Sequence, residues 1–509
     1  MKYVEFYTEN GEFNFVITPF KNVRKHFSIH IYNFLKESRG GIYIFEDLDL
    51  AKNAVVDMLL RENFVNIKLS DEKLMNYQFQ IVSDDSRCFQ IRFRYKNQLF
   101  DFRSFTKVAG GLDTKKVNNN KYVAVKNIVE ALDRMKILSV TLGSGIRQLW
   151  INKFNGAVEV RGKRYNTKEI DEEMYRYIQG TNNGGLCVSN PRYRGKIMKD
   201  TITIDKNAHY AAMALKYALP CDTPVFMTPE EYVAQNRYTT GIFKVHIKEA
   251  SLRSGFVPIW GFKEKGQRVE KEYLAHFRNK IVYLWQHELK FYEKYYKMNY
   301  RIMRVLAFKR RKALLNPIIE YFIKIKEEAE DPTERLIAKR AIPALIGKFG
   351  SCRYRINEIY TDNGIEKYDM KSEDFYLPLF TYITSRAACD IGTYIQAFGI
   401  DDFIYSDTDS ITAKGESEVY GILDFNKTKT GCFKLESQNK DFIVLKNKVY
   451  AKRLKDGTIK NVVSGVSIKR PKTPEQFYNG VEFSFEIYDC SGIVPKVETK
   501  VVKFSNKKI

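Results

Sequence analysis

The stretch FIYSDTDSITAK, residues 403–414, decides how this chain is read. Asp407 and Asp409 stand one residue apart between two β-prone runs, the pattern of a tight hairpin with acids at its tip. Aspartate is common in such turns because it tolerates their backbone and stays solvated. Taken alone, then, the pair reads as a wetted turn. The rest of the chain changes that reading: 84 Lys and Arg stand against 61 Asp and Glu, a formal charge of +23 over 509 residues. Acids concentrated inside so basic a molecule are suited to holding a divalent metal against a polyanion that the rest attracts.

Working outward, the length corresponds to roughly three to four folding units. A hydrophobic content of 44%, with 14% aromatic residues, supports real cores and excludes disorder. The basic excess is distributed, with one short run, KRRK at Lys309–Lys312, read as a solvated face with contact to a DNA backbone as the alternative. Such an excess favours a nucleic-acid partner, although a protein of ribosomes or anionic membranes would share it. The opening MKYVEFYTENGEF carries acids where a secretory signal needs a basic end and an apolar run. AAMALKYAL is interrupted by Lys216 and falls far short of the ~20 residues needed to span a membrane. A cytoplasmic location without membrane association is therefore expected. The seven cysteines form no CxxC pair, so reduced thiols are expected and a zinc ribbon is not. His287-Glu288 has Phe291 where an HExxH site needs its second histidine, and Gly347-Lys348 is followed by Phe349, which excludes a P-loop.

Residues 1–180 read as mixed α and β, with GGIYIFEDLDL as a strand and AKNAVVDMLLREN and YVAVKNIVEALDRMKIL as helices. A polar loop is expected at 113–121, and the Gly- and Asn-rich stretch 177–196 is the first boundary. DTITIDKNAHYAAMALKYALP, residues 200–220, alternates Thr and Ile in a strand ending at Asp205 and then turns helical. Beyond Phe262 long helices are expected, among them YLWQHELKFYEKYYKMNYRIM (283–303). Residues 316–350 read as two helices joined at Asp331-Pro332, the second carrying Arg335 and Lys339. A small hairpin over 355–375, a helix over 378–399 and a basic β-rich tail complete the pattern.

These pieces suit nucleotidyl transfer. A 3′-hydroxyl attacks an α-phosphate while divalent ions stabilise the attacking and leaving oxygens. Such ions need hard oxygen ligands, and Asp205, Asp407 and Asp409 offer them at a strand end and a hairpin tip. A triphosphate also wants cations, and Arg335 and Lys339 lie four apart on one helical face. Each feature has a plain structural alternative: Asp205 as a helix cap, Arg335 and Lys339 as a wetted face.

At this point the chain resembles a family. YSDTDS resembles the YxDTDS motif of family B DNA polymerases. DKNAHYA (205–211) is similar to their DxxSLYP motif, keeping Asp205 and Tyr210 but replacing Ser with Ala208 and Pro with Ala211. AKRAIPALIGKFG (338–350) is similar to KxxxNSxYG, keeping Lys339 and Gly347, with Pro343 and Ile346 where Asn and Tyr are expected. LKNKVYAK carries the KxY pair as Lys448 and Tyr450. Their order and spacing, clear over residues 181–470, resemble the protein-primed branch of small bacteriophages and linear plasmids.

The resemblance implies an α+β fold: a right-hand polymerase of palm, fingers and thumb, preceded by a ribonuclease-H-like exonuclease-type domain. The implied boundaries are 1–180 for a degenerate exonuclease-like domain, 181–224 and 379–445 for the palm, and 225–311 for a helical, terminal-protein-region-like insertion. Fingers would span 312–350, a hairpin insertion 351–378 and the thumb 446–509. Asp205 and Asp409 would be the metal ligands of two Mg²⁺ ions, with Mn²⁺ able to substitute, and Asp407 would stand beside them. Arg335 and Lys339 would hold the triphosphate, and Tyr210 would lie under the sugar and exclude a 2′-hydroxyl. Lys448 and Tyr450 would position the primer terminus. Gly184 and Gly185 would match the glycines of a YxGG linker whose tyrosine is here Asn182. The implied partners of a monomeric enzyme are a DNA template-primer, deoxynucleoside triphosphates and a terminal protein that supplies the first hydroxyl.

Three departures carry expectations. Pro343 removes a helix hydrogen bond, at ~3 kcal/mol in an ordinary interior, so a kink and weaker base discrimination are expected. GIYIFEDLDLAKNAVVDMLLRENF resembles the second motif of a proofreading nuclease, but Asp47 stands for its asparagine and Ala51 for its aspartate, with Asp49 close by. Glu5 and Glu9 have the wrong spacing for a DxE, and Lys126 stands where YxxxD needs an acid, so no 3′–5′ exonuclease activity is expected. Two rivals are an RNA-making polymerase, against which Thr408 between the two acids argues, and a non-catalytic DNA-binding relative acting as a replication accessory.

Overall fold

The computed structural model of the chain describes residues 2–9, 12–19, 27–30, 40–45, 48–67, 74–83, 88–154, 156, 170–262, 271–351, 354–361, 364–371, 376–464, 466, 471–489 and 496–504. Packing divides the chain into two units, each discontinuous in sequence. The first comprises Met1–Gly156, Pro317–Phe375 and Glu486–Glu498, the second Ala157–Asn316, Tyr376–Phe485 and Thr499–Ile509.

In the first unit an eight-stranded mixed sheet has Gly41–Phe45 near its centre, parallel to Lys2–Glu9 on one side and to Gln98–Ser104 on the other. Parallel strands bury both faces, which is why GIYIF is so apolar. Phe93 stacks on Phe100 with centroids 4.7 Å apart, and Tyr43, Phe45 and Phe102 pack around them against the helix Leu48–Arg61. Asp49, in the first turn of that helix, accepts a hydrogen bond from the backbone N–H of Cys88. Asp47 and the side chains of Glu5 and Glu9 lie outside the described residues.

The same unit holds the helices Lys121–Arg134, Leu142–Phe154 and Pro332–Phe349. Asp331 caps the last of these by accepting from Thr333 N–H, with Pro332 at its first position, where the missing donor costs nothing. Gly143 allows close approach: a Cβ there would lie 2.6 Å from the carbonyl oxygen of Ala344. Arg134 reaches both Asp331 and Glu334. Residues 332–349 form one helix that includes Pro343, which is exposed, while Ile346 is only 1% exposed. The expected hairpin is present as Tyr354–Thr361 paired with Gly364–Lys371. The two residues at its tip lie outside the described set.

The second unit is organised on a seven-stranded antiparallel sheet. Its strands are β1 (Cys187–Ser189), β2 (Met198–Lys206), β3 (Phe403–Asp407), β4 (Ser410–Lys414), β5 (Phe433–Lys446), β6 (Val449–Leu454) and β7 (Ile459–Val463). They lie in the order β7-β6-β5-β2-β4-β3-β1. The Thr–Ile alternation of β2 is explained by its two faces. Ile204 packs with Phe403 and Ile411 against Ile391, Ile395 and Phe398 of the long helix Leu377–Asp402. Thr201 and Thr203 instead meet Asn439 and Thr412 in a buried, hydrogen-bonded polar layer.

Residues 219–311 correct the sequence reading. They form a four-stranded antiparallel sheet in which Thr240–Leu252 pairs with His276–Trp285 and Tyr296–Arg311, and Tyr296–Arg311 pairs with Leu219–Met227. Only Gln286–Tyr295 of the expected long helix is helical. Its last turn gives way at Tyr296 because KMNYRIMRV alternates and is rich in residues that fit a pleated surface. Among the described residues no helix is long and apolar enough to cross a membrane.

Candidate active site

Strand pairing brings the acids together. Asp205, near the end of β2, lies opposite Ser410 on β4 and opposite Lys434 on β5. Asp407 ends β3, and a two-residue turn, Thr408-Asp409, leads straight into β4. The backbone N–H of Lys206 donates to the carbonyl of Asp409 at 2.9 Å, locking the turn to the strand that carries Asp205. Thr408 has φ +65°, a left-handed conformation costly for a β-branched residue and usual for glycine in such turns. The surroundings hold it there: its N–H donates to Leu186 O at 2.9 Å. Gly185 lies so close that a Cβ would sit 2.6 Å from Thr408 Oγ1, and its neighbour Gly184 has φ +65°. The glycine pair is thereby tied physically to the acidic turn. Asn182, in the place of the linker tyrosine, follows the helix Glu172–Gln179 and donates its N–H to Gln179 O.

Each flanking acid has a basic partner. Lys434 pairs with Asp205, and Lys448 Nζ donates to Asp407 Oδ1 at 2.9 Å. The Cys187 thiol also donates to Asp407, at 3.1 Å, and burial followed by that carboxylate pushes the thiol up to about 11. Among the described residues no lysine or arginine forms an ion pair with Asp409: burial, then the charge of Asp205, raises its carboxyl to about 6. Tyr210, in the first turn of the helix His209–Lys216, is raised to about 12 by burial and then by Asp409. Lys448 stands at φ +59° in the β5–β6 turn, where its backbone N–H donates to the Tyr405 hydroxyl, and Tyr450 packs on Tyr405 with centroids 5.3 Å apart.

The donor set fits a hard divalent cation. Carboxylates from β2 and from the β3–β4 turn come together, and two lysines neutralise the outer pair. Among the described residues no three His, Cys, Asp or Glu side chains already stand in ligating geometry.

Asp205, Asp407, Asp409, Tyr210, Lys448, Tyr450, Gly184 and Gly185 all belong to the second unit. Arg335 and Lys339 belong to the first, exposed on the helix Pro332–Phe349, where Arg335 Nε donates to the carbonyl of Ala329. Lys434 and Cys187 were missed in the sequence. CFKLES shows only that Lys434 sits on a strand, and nothing local sets the register that places it on Asp205.

A family model described as DNA polymerase type B, organellar and viral, matches residues 126–418. The DNA polymerase of Streptococcus phage Cp-1 is 26% identical over 339 residues, covering 62% of this chain and 58% of that protein. The DNA polymerase of Bacillus phage phi29 is 28% identical over 337 residues, covering 64% and 56%. The chain thus aligns with less than two thirds of the length of these curated relatives. Among solved structures, phi29 DNA polymerase complexed with primer-template DNA superimposes with a TM-score of 0.81 at 17% identity, covering 99% of this chain and 100% of that one. That similarity establishes a common fold, the mixed α+β architecture expected from the motifs.

Proposed function

The chain belongs to the type B DNA polymerases, organellar and viral, and on that premise we propose that it is a template-directed DNA polymerase that adds deoxynucleotides to a 3′-hydroxyl. The observation that carries this reading is the meeting of Asp205 with the Asp407–Asp409 turn at adjacent strand ends, each flanking acid balanced by a lysine. Asp205 and Asp409 would hold two Mg²⁺ ions. When bound, these stabilise the attacking and leaving oxygens of an in-line displacement.

The remaining roles belong to the chain's own residues. Asp407, pinned by Lys448 and Cys187, keeps the turn in register. Tyr210 screens the sugar for a 2′-hydroxyl. Lys448 and Tyr450 seat the primer terminus, and Arg335 and Lys339 bind the triphosphate. We assign DNA template-primer and deoxynucleoside triphosphates as partners and viral DNA replication as the setting. Priming by the hydroxyl of a terminal protein is tested by incubating the enzyme with labelled dATP and candidate proteins of the same genome: a covalently nucleotidylated protein supports it.

Asp409→Asn is expected to reduce Mg²⁺-dependent primer extension on the order of 10³-fold or more while leaving DNA binding unchanged. A parent chain that binds primer-template and extends nothing would replace this reading with that of a non-catalytic relative. Proofreading is lost, in our reading: the nuclease motifs lack their acids, and Asp49 is engaged by the Cys88 backbone. Metal-dependent shortening of a labelled single strand, abolished by Asp49→Ala, would contradict this.

A further inference from the structure

The segment between Asp205 and Tyr210 is held by a buried ionic cluster that the polymerase motifs do not contain. Lys206 and His209 are 4% and 3% exposed. Asp390 reaches them from the helix Leu377–Asp402: its Oδ2 accepts from Lys206 Nζ and lies 3.0 Å from His209 Nε2. The Lys206 ammonium also sits over two rings, 4.5 Å from the centroid of Tyr394 and 5.0 Å from that of Phe433. Each anchored residue adjoins a residue of the site. Lys206 follows Asp205, and its backbone N–H carries the hydrogen bond to Asp409 O. The His209 ring lies parallel to that of Tyr210, 7° off with centroids 6.2 Å apart. Between them, Ala208 is exposed at φ +45° and supplies no side-chain cap, in the place where the family motif has serine.

We propose that Asp390 is a positioning residue: by binding Lys206 and His209 at once it fixes the segment from Asp205 to Tyr210, and with it the discrimination between deoxy- and ribonucleotides. The inference rests on the polymerase reading above. Its physical basis is directional. A largely buried carboxylate, its side chain 14% exposed, with two charge-assisted partners specifies the position of both, whereas well-packed apolar side chains of similar volume give as much stability without that specification. A cluster serving stability alone would therefore be replaceable by an apolar one.

The experiment compares the full-length parent with Asp390→Asn, which keeps an acceptor oxygen but loses the charge, and with the triple variant Lys206→Met/His209→Leu/Asp390→Leu, which leaves no unpaired charge. The triple variant is expected to unfold at or above the parent's temperature. In both variants, amide exchange over residues 201–214 should accelerate about tenfold relative to the parent. The kcat for dNTP incorporation should fall about 10- to 100-fold with a smaller change in KM, and the preference for dNTP over rNTP should shrink. A folded triple variant with parental exchange over 201–214 and parental sugar preference overturns the proposal. Exchange is read without substrate, so it judges Asp390 even if the parent extends no primer, an outcome that would count against the polymerase reading and not against the cluster.

Discussion

Gly185 shows how far one absent methyl group reaches. With a Cβ only 2.6 Å from Thr408 Oγ1 and 2.8 Å from its Cγ2, alanine at this position would push on a threonine already held at φ +65°. Thr408 separates Asp407 from Asp409, so the displacement passes directly to the acids. Gly185→Ala is expected to lower kcat for primer extension by about 10- to 100-fold, with little change in far-UV circular dichroism. Parental kinetics would show that the turn yields by side-chain rotation alone. Ile346 teaches the opposite lesson. Its place in the KxxxNSxYG-like motif promised a selective surface, yet the side chain is buried at 1% exposure, so tyrosine there overpacks its surroundings before it can touch a nucleotide.

At the scale of elements, the helix Gln286–Tyr295 is capped from inside. Glu288 turns back to accept the backbone N–H of Trp285 at 2.8 Å and is 4% exposed, on the wall of a recess that Gly184 and Gly185 also line. Burial raises its carboxyl to about 8, only partly offset by the Trp285 N–H. The unfolded chain ionises this group in the ordinary carboxylate range. From there up to about pH 8 the folded state therefore keeps a proton the unfolded chain has lost, and the cost to folding grows with pH until it is complete above 8. Glu288→Gln is expected to be near neutral at pH 5 and stabilising on the order of 2 to 5 kcal/mol at pH 9, read by denaturant unfolding of both proteins at both pH values. Equal stability differences at the two values would mean that Glu288 is ionised in the folded protein just as it is in the unfolded chain. The strands on either side of this helix explain why periodicity misled. Tyrosine, isoleucine and methionine serve a helix face or a pleated sheet equally well, and pairing with Thr240–Leu252 decides for the sheet.

Across the whole molecule, the charge of +23 predicts how binding responds to salt. Neutralising about five phosphates gives a slope of about −4.5 in a plot of log affinity against log salt. The measurement is a salt titration of the affinity for a primer-template duplex, repeated with sequences of different composition. A slope near zero, or one that changes with sequence, would place recognition in base contacts instead.

The sequence alone determined the chemistry that can occur. YSDTDS with its flanking strands, Asp205 at a strand end, the Asp331-Pro332 helix start and the KxY turn are local patterns, written in residues a few positions apart. They needed no tertiary information because hairpin turns, caps and alternation are short-range physics. Only the fold decided which distant groups serve those acids: Lys434 on Asp205, Cys187 and Lys448 on Asp407, and Asp390 beneath Lys206 and His209. Strand register and helix docking are set by how whole faces pack. A lysine on a strand therefore carries no mark of the carboxylate it will meet until the sheet is assembled.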